Sequence, residues 1–244
     1  MSGDAMPRGN LYLVPVALGE HTPWAHFLPA QAQAIAAGLR HFVVETARAA
    51  RAHLKQLDYP HPLRDTDIRE LPAEAADAAL DALLAPALAG TDLGLLSDAG
   101  CPAVADPGAR LVARAHALGI RVVPLVGPSS ILLGLMGSGL NGQSFAFVGY
   151  LPQEASARAA RLRELEGLSR RMSQTQLLIE TPYRNPVMLS SMLAVLAPST
   201  ELSISCGLTL EAGWTRTDRI ERWRLSPPVV MPDRLPAVFA LLGH

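Results

Sequence analysis

Short apolar runs alternate with helix-like stretches through the first 150 residues, and this alternation restricts the fold more than any other feature. Leu11-Tyr-Leu-Val-Pro-Val16, Phe42-Val-Val-Glu45, Asp92–Ser97 and Arg121–Val126 read as strands, and Ser144–Tyr150 as an alternating one. Between them, Gln31–Leu39, Arg48–Leu57, Glu74–Leu88 and Gly127–Met136 read as helices. A further helix carries Leu111, Val112, Ala115 and Leu118 on one face and stops at Gly119. Pro86 is expected to kink or shorten its helix. Asp58–Pro72, with three prolines and mixed charge, reads as a long surface loop. Strands alternating with helices call for a parallel sheet covered on both faces.

Beyond residue 150 the pattern changes. Gly149–Gln153 reads as a linker, and Glu154–Met172 as a solvated helix laced by salt bridges or, through Arg158–Arg171, a nucleic-acid face. Gln176–Glu180, Glu201–Cys206 and Ala237–Leu242 read as strands, and Met188, Leu189, Met192, Leu193 and Leu196 form a helical face. Trp214–Thr217 and Ile220–Leu225 are expected to pair as a hairpin around Asp218-Arg219. The expectation is an α/β protein of two domains: residues 1–150 around a mostly parallel sheet, and residues 151–244 with mixed α+β character.

Several function classes recede on composition. A net charge of −1 argues against indiscriminate polyanion binding, while a local basic patch stays possible. Two cysteines, Cys101 and Cys206, make no disulfide framework and fit a reducing compartment. The apolar stretch at 125–140 is broken by Pro128, glycines and serines, so no membrane span is expected, nor a secretory leader; a cytoplasmic protein is. The seven histidines lie apart without ligand spacing, so no metal is expected.

The candidate site begins where the third strand stops. Leu95-Leu-Ser-Asp-Ala-Gly-Cys-Pro-Ala-Val-Ala-Asp-Pro107 joins that strand to the next helix through small residues, two carboxylates and two prolines. Gly100 lets backbone approach a ligand. Asp106-Pro107 reads as an N-cap followed by the first helical position. Cys101, set between carboxylates, is a small loop residue rather than a nucleophile. In an open α/β sheet such a loop lies at the carboxyl ends of the strands, where ligands bind. Gly127-Pro-Ser-Ser130 offers hydroxyls and free N–H groups where a helix opens. In Thr181-Pro-Tyr-Arg184, Tyr183 can stack on a base and Arg184 can reach a phosphate, or the segment is only a turn that starts a helix.

Together these residues resemble the tetrapyrrole-methylase superfamily and, within it, a shortened, divergent member of the bacterial ribosomal small-subunit 2′-O-ribose methyltransferase I family. The matching runs are Leu11–Pro15, Ser97-Asp-Ala-Gly-x-Pro102 with Asp106-Pro-Gly108, and Gly119–Pro128. Phe147-x-Gly-Tyr-Leu-Pro152 and Glu180-x-Pro-x-Arg184 continue them in family order. The resemblance implies two α/β domains with S-adenosyl-L-methionine in the cleft between them, in a homodimer. By position, Pro15, Asp98, Ala99, Gly100, Cys101, Pro102, Asp106, Ser129 and Ser130 would line the cofactor site. So would Thr181, Cys206, Gly207, Pro236 and Ala237. Arg48, Tyr183 and Arg184 fall to the substrate. A ribose hydroxyl is a poor nucleophile, so Glu45 or Glu180, each ending a strand near the expected cleft, is the expected general base.

Three family runs are altered. The chain has Leu18-Gly-Glu20 for Ile-Gly-Asn, Glu45-Thr-Ala-Arg48 for Glu-Asp-Thr-Arg, and Cys206-Gly-Leu-Thr-Leu210 for Arg-Glu-Leu-Thr-Lys. An RNA methyltransferase, a small-molecule (tetrapyrrole-type) methyltransferase and a non-catalytic S-adenosylmethionine-binding paralogue all remain open at this point.

Overall fold

A computed structural model describes residues 7–19, 22–57, 59–227, 230–232 and 234–244. Glu20, the last residue of the altered first run, and Asp58, the first of the expected long loop, lie outside the described residues.

The chain forms two compact units, which divide at Ser129/Ser130. The first contains β1 (Asn10–Leu13), α1 (Ala30–Gly38), β2 (His41–Val44), α2 (Ala47–Gln56), β3 (Asp67–Glu70), α3 (Asp77–Leu88), β4 (Leu93–Leu96), α4 (Ala109–Ala117) and β5 (Arg121–Pro124). Its five strands are parallel, in the order β3-β2-β4-β1-β5. Phe42, Val44 and Leu96 face one side with Ala32 and Ala36 of α1 and Ala50 and Leu54 of α2. Val43, Leu93 and Leu95 face the other, with Leu80 and Leu84 of α3 and Leu111 and Ala115 of α4. Burial on both faces explains why the strands are continuously apolar.

Three expectations change here. The 58–72 loop contains a 3-10 turn (Leu63–Asp65) and the edge strand β3, which the period-2 signal missed because Asp-Ile-Arg-Glu owes its place to backbone pairing with β2. Pro86 does not end α3: the carbonyl of Ala82, which a residue-86 N–H would have bonded, accepts from Arg69 Nη1 at 3.3 Å. Asp106 does not cap α4. The N-cap is Gly108, at φ 135°, where a Cβ would stand 2.8 Å from Leu95 Cδ2.

The second unit contains α5 (Ser130–Ser138), β6 (Phe145–Phe147), α6 (Ala155–Met172), β7 (Thr175–Glu180), α7 (Asn185–Val195), β8 (Glu201–Cys206), β9 (Trp214–Arg219), α8 (Ile220–Leu225) and β10 (Ala237–Leu242). Its sheet is mixed, in the order β6-β7-β10-β8-β9, with β6 parallel to β7 and the other pairs antiparallel. Residues 130–150, expected in the first domain, belong here. Ile131 and Leu135 of α5 pack with Leu177, Val238 and Ala240, and Gly134 lets α5 approach Val238 closely. The expected hairpin is instead β9 followed by helix α8, because Ile220 and Trp223, three apart, bury on one helical face. α6 is less solvated than its charge suggests. Arg158 is buried on Ser191 Oγ and the carbonyls of Pro152 and Gln153, and Glu166 accepts from Ala197 N and Thr200 Oγ1.

Candidate functional site

At the carboxyl edge of the first sheet, the segments following β1, β2, β4 and β5 meet. β1 and β4 are neighbours, yet α1 and α4, the helices that follow them, lie on opposite faces of the sheet. That divergence opens a crevice at the carboxyl edge of an α/β sheet. The 97–108 loop stands there, tied on two sides. Val16 N–H donates to Gly100 O at 2.9 Å, and Cys101 Sγ donates to Pro128 O at 3.2 Å. Gly100 (φ 71°), Ala103 (φ 65°), Ala105 (φ 64°) and Gly108 (φ 135°) all have positive φ. For each alanine this costs about 1–2 kcal/mol, so the surrounding contacts over-determine the loop's shape. Pro15 is buried against Gly127, whose Cβ would stand 2.3 Å from that of Pro15.

The carboxylates are arranged in order. Asp98 Oδ1 accepts from Thr46 N (3.1 Å) and Thr46 Oγ1 (2.9 Å), while Glu45 Oε2 accepts from Asp98 N at 3.0 Å. Thr46 Oγ1 also accepts from Ala49 N, capping α2. His53 Nε2 lies 2.9 Å from the Asp98 carbonyl, which can only accept, so this nitrogen carries the proton. Burial, then Glu45, push the Asp106 carboxyl up to about 6; Ser97 pulls it down and Asp98 adds to the rise. Burial and Asp106 raise the Cys101 thiol, in keeping with a non-nucleophilic role. Arg48 is exposed on the first turn of α2, and Ser129 is half-buried just after Pro128.

The second unit gathers its own expected residues along one edge. Glu180, Ala237 and Cys206 are register partners across β7, β10 and β8. Gly207 N–H donates to Pro236 O at 2.9 Å. Thr181 follows at the end of β7; its N–H and hydroxyl both bond Glu180 Oε1, at 2.8 and 3.2 Å. Arg184 Nη2 stands 3.0 Å from Glu180 Oε2, an ion pair in which the carboxylate is fully buried. Tyr183 is exposed, Cys206 is buried, and burial raises the Cys206 thiol. Ser130 opens α5 in this unit, apart in the chain from that row.

Among the described residues, three buried side-chain atoms lack a hydrogen bond of good geometry: Ser97 Oγ, Glu180 Oε2 and Asn185 Oδ1. Ser97 ends β4 against Asp106, Glu180 ends β7, and Asn185 Nδ2 holds Leu235 O beside Pro236. All three therefore sit where the chain leaves a sheet for the expected site residues. Arg184 meets Glu180 Oε2 as an ion pair, which leaves Ser97 Oγ in the first unit and Asn185 Oδ1 in the second as buried atoms that call for an explanation such as a ligand. Thr46, His53 and Asn185 were not singled out from the sequence. Thr46 had a signal, as a threonine just before a helical stretch; the other two had none. No group of three or more His, Cys, Asp or Glu among the described residues could hold a metal ion, and no helix there is long and apolar enough to cross a membrane.

Comparison with known proteins adds the rest. No family model matches the chain. A Vibrio cholerae protein, "Ribosomal RNA small subunit methyltransferase I", is 39% identical over 122 residues, 50% of this chain and 41% of that protein. The Xylella fastidiosa protein of the same name is 34% identical over 157 residues, 64% of this chain and 54% of that protein. Over that span the chain is similar to ribosomal RNA small subunit methyltransferase I. The matches span about half the length of these curated relatives, or less. Among solved structures, the methyltransferase CobJ superposes with a TM-score of 0.61 at 14% identity, over 96% of this chain and 94% of that one. Uroporphyrin-III-C-methyltransferase from Thermus thermophilus gives 0.54 at 18%, over 96% and 92%. The two-domain tetrapyrrole-methylase-like fold expected from the sequence is the fold observed.

Proposed function

We propose that the protein is an S-adenosyl-L-methionine-dependent methyltransferase acting on RNA, at a ribose 2′-hydroxyl of the small ribosomal subunit. The observation that carries this reading is the 97–108 loop: small residues held in strained conformations at the carboxyl edge, beside an unsatisfied Ser97 hydroxyl. The same segment carries the family motif, and the curated relatives bear a methyltransferase name.

The residues present fit the cofactor. Ser97 Oγ is buried with no hydrogen bond of good geometry, and Glu45, Asp98 and Asp106 supply negative charge for a sulfonium. Pro15, Cys101, Pro102 and Ser129 support that loop; Ser130, Thr181, Cys206, Gly207, Pro236 and Ala237 are assigned to the cofactor by the resemblance alone. Bound there, S-adenosylmethionine supplies an already activated methyl group, so the protein chiefly has to align the acceptor and exclude water.

Glu45 is the proton acceptor this reading favours. Its Oε2 is held by Asp98 N–H, which fixes the carboxylate at the end of β2. Asp106, raised towards neutrality beside it, can share the proton. Glu180 is engaged on both oxygens, so its role is to hold Arg184 for a phosphate. Arg48 and Tyr183 complete the substrate contacts. The resemblance supports a homodimer, and two free cysteines support a cytoplasmic setting. The small-molecule alternative rests on fold alone.

The test is calorimetric titration with S-adenosylmethionine, followed by transfer of a labelled methyl group to small-subunit RNA. Binding with ribose methylation is the expected result. Absence of binding at high concentration overturns the reading, and binding without turnover on any RNA leaves the small-molecule methyltransferase and the non-catalytic paralogue.

A further inference from the structure

Most of the twelve aromatic side chains (five Phe, three Trp, four Tyr) are buried or half-buried. Phe145, Tyr150 and Tyr183 are exposed, at 41%, 56% and 70%. The two tyrosines share an edge. β6 and β7 are adjacent parallel strands, and Ile179 N–H donates to Gly149 O at 3.3 Å, so Tyr150 leaves the sheet level with the last residues of β7. Gly149 turns the chain there at φ 72°. Tyr183 lies three residues past Glu180, in the 3-10 turn Pro182–Arg184. That turn is pinned by the bond from Arg184 N to Thr181 O (2.9 Å) and by the buried Glu180–Arg184 pair. Neighbouring strands run about 4.8 Å apart, so the backbone carrying the two tyrosines leaves the sheet along one short stretch of edge.

The charge balance makes this arrangement informative. Arginines such as Arg184 can meet phosphates, yet a net charge of −1 gives the chain no broad positive field to draw RNA in. Affinity from a source that does not need positive charge would complement those contacts. Stacking of bases on aromatic rings is such a source, and it tolerates any base because every base has a π face. Tyrosine suits it, having only two side-chain torsions to fix.

We propose that Tyr150 and Tyr183 are a stacking platform for unpaired bases of the RNA, at the same sheet edge as the Glu180–Ala237–Cys206 row. This rests on the reading above that the acceptor is RNA. A single-stranded or splayed segment is the occupant, since paired bases cannot offer their faces.

The test uses the full chain, small-subunit RNA and labelled S-adenosylmethionine. Tyr150→Ala and Tyr183→Ala should each weaken RNA binding and raise the KM for RNA about 10-fold or more. Tyr→Phe at either position should restore it. The donor affinity by calorimetry and the slope of RNA affinity against salt should stay as in the wild type, since no charge is removed. A parallel loss of donor affinity would assign the rings to the cofactor and overturn the proposal. Unchanged RNA binding in both alanine variants would overturn it as well, as would phenylalanine variants as weak as alanine. A wild-type protein that binds the donor but no RNA would refute the platform while leaving methyl transfer standing. Failure to bind the donor at all would remove the reading beneath it.

Discussion

Asp106→Asn isolates the charge stored in the 97–108 loop, because it keeps the side chain's size and removes its ionisation. In the folded protein, burial and the Glu45 and Asp98 carboxylates push the Asp106 carboxyl from 3.8 to about 6. A group raised in this way holds its proton more tightly folded than unfolded. Its favourable contribution is therefore complete below 3.8 and is lost as the pH rises through about 6. Above that, the native state carries an ionised Asp106 against two other carboxylates. The rise is about 2 pH units, and at about 1.4 kcal/mol for each, the penalty is at most about 3 kcal/mol. Asp106 is half-exposed, so solvent screening reduces this to about 1 kcal/mol. For a chain of this length that is about 2–4 °C in Tm. Calorimetric melts near pH 8 should show Asp106→Asn more stable than wild type by that margin, with the gap closing towards pH 4. A variant no more stable at pH 8, or a gap that persists in acid, would refute the repulsion argument.

Gly127→Ala drives a Cβ into Pro15 at 2.3 Å, and the overpacking should destabilise the first unit by about 1–3 kcal/mol in a urea titration. Arg184→Ala strands the fully buried Glu180 carboxylate and should cost about 3–5 kcal/mol, with Arg184→Ala/Glu180→Gln recovering much of it in the same assay. Glu154 caps α6 through Ser156 and Ala157, and those bonds, with Arg158, hold its carboxyl down to about 2. A depressed carboxylate contributes above its ordinary 4.5 and stops doing so as the pH falls through about 2. Amide exchange in the first turn of α6 should accelerate over that range, and Glu154→Gln should remove the pH dependence.

Most of the fold was legible wherever hydrophobic period and local chemistry agreed. The parallel sheet of the first unit follows from apolar runs alternating with amphipathic helices, and Gly119 stopped α4 as expected. Legibility failed where a distant partner replaced a local rule. β3 has no apolar run and exists because β2 offers it a ladder. α3 passes through Pro86 because Arg69 takes the orphaned carbonyl. Asp106 looked like a cap, yet its carboxyl is occupied with Ser97, Glu45 and Asp98. α5 belongs to the second unit because Ile131 and Leu135 find their apolar neighbours on β7 and β10.

The site divides in the same way. By itself the sequence determined which residues were available: the small-residue loop, the carboxylates ending strands, and the order of motifs that carries the family resemblance. These are properties of residue type and spacing, which a chain carries whether folded or not. Only the tertiary structure decided how those groups are used. It set Glu45, Asp98 and Asp106 against one another, committed Glu180 to Arg184, and placed Tyr150 and Tyr183 on one edge. The reason is that pKa shifts, ion pairing and exposure depend on separations of a few ångströms between segments tens of residues apart, and sequence spacing does not encode those separations.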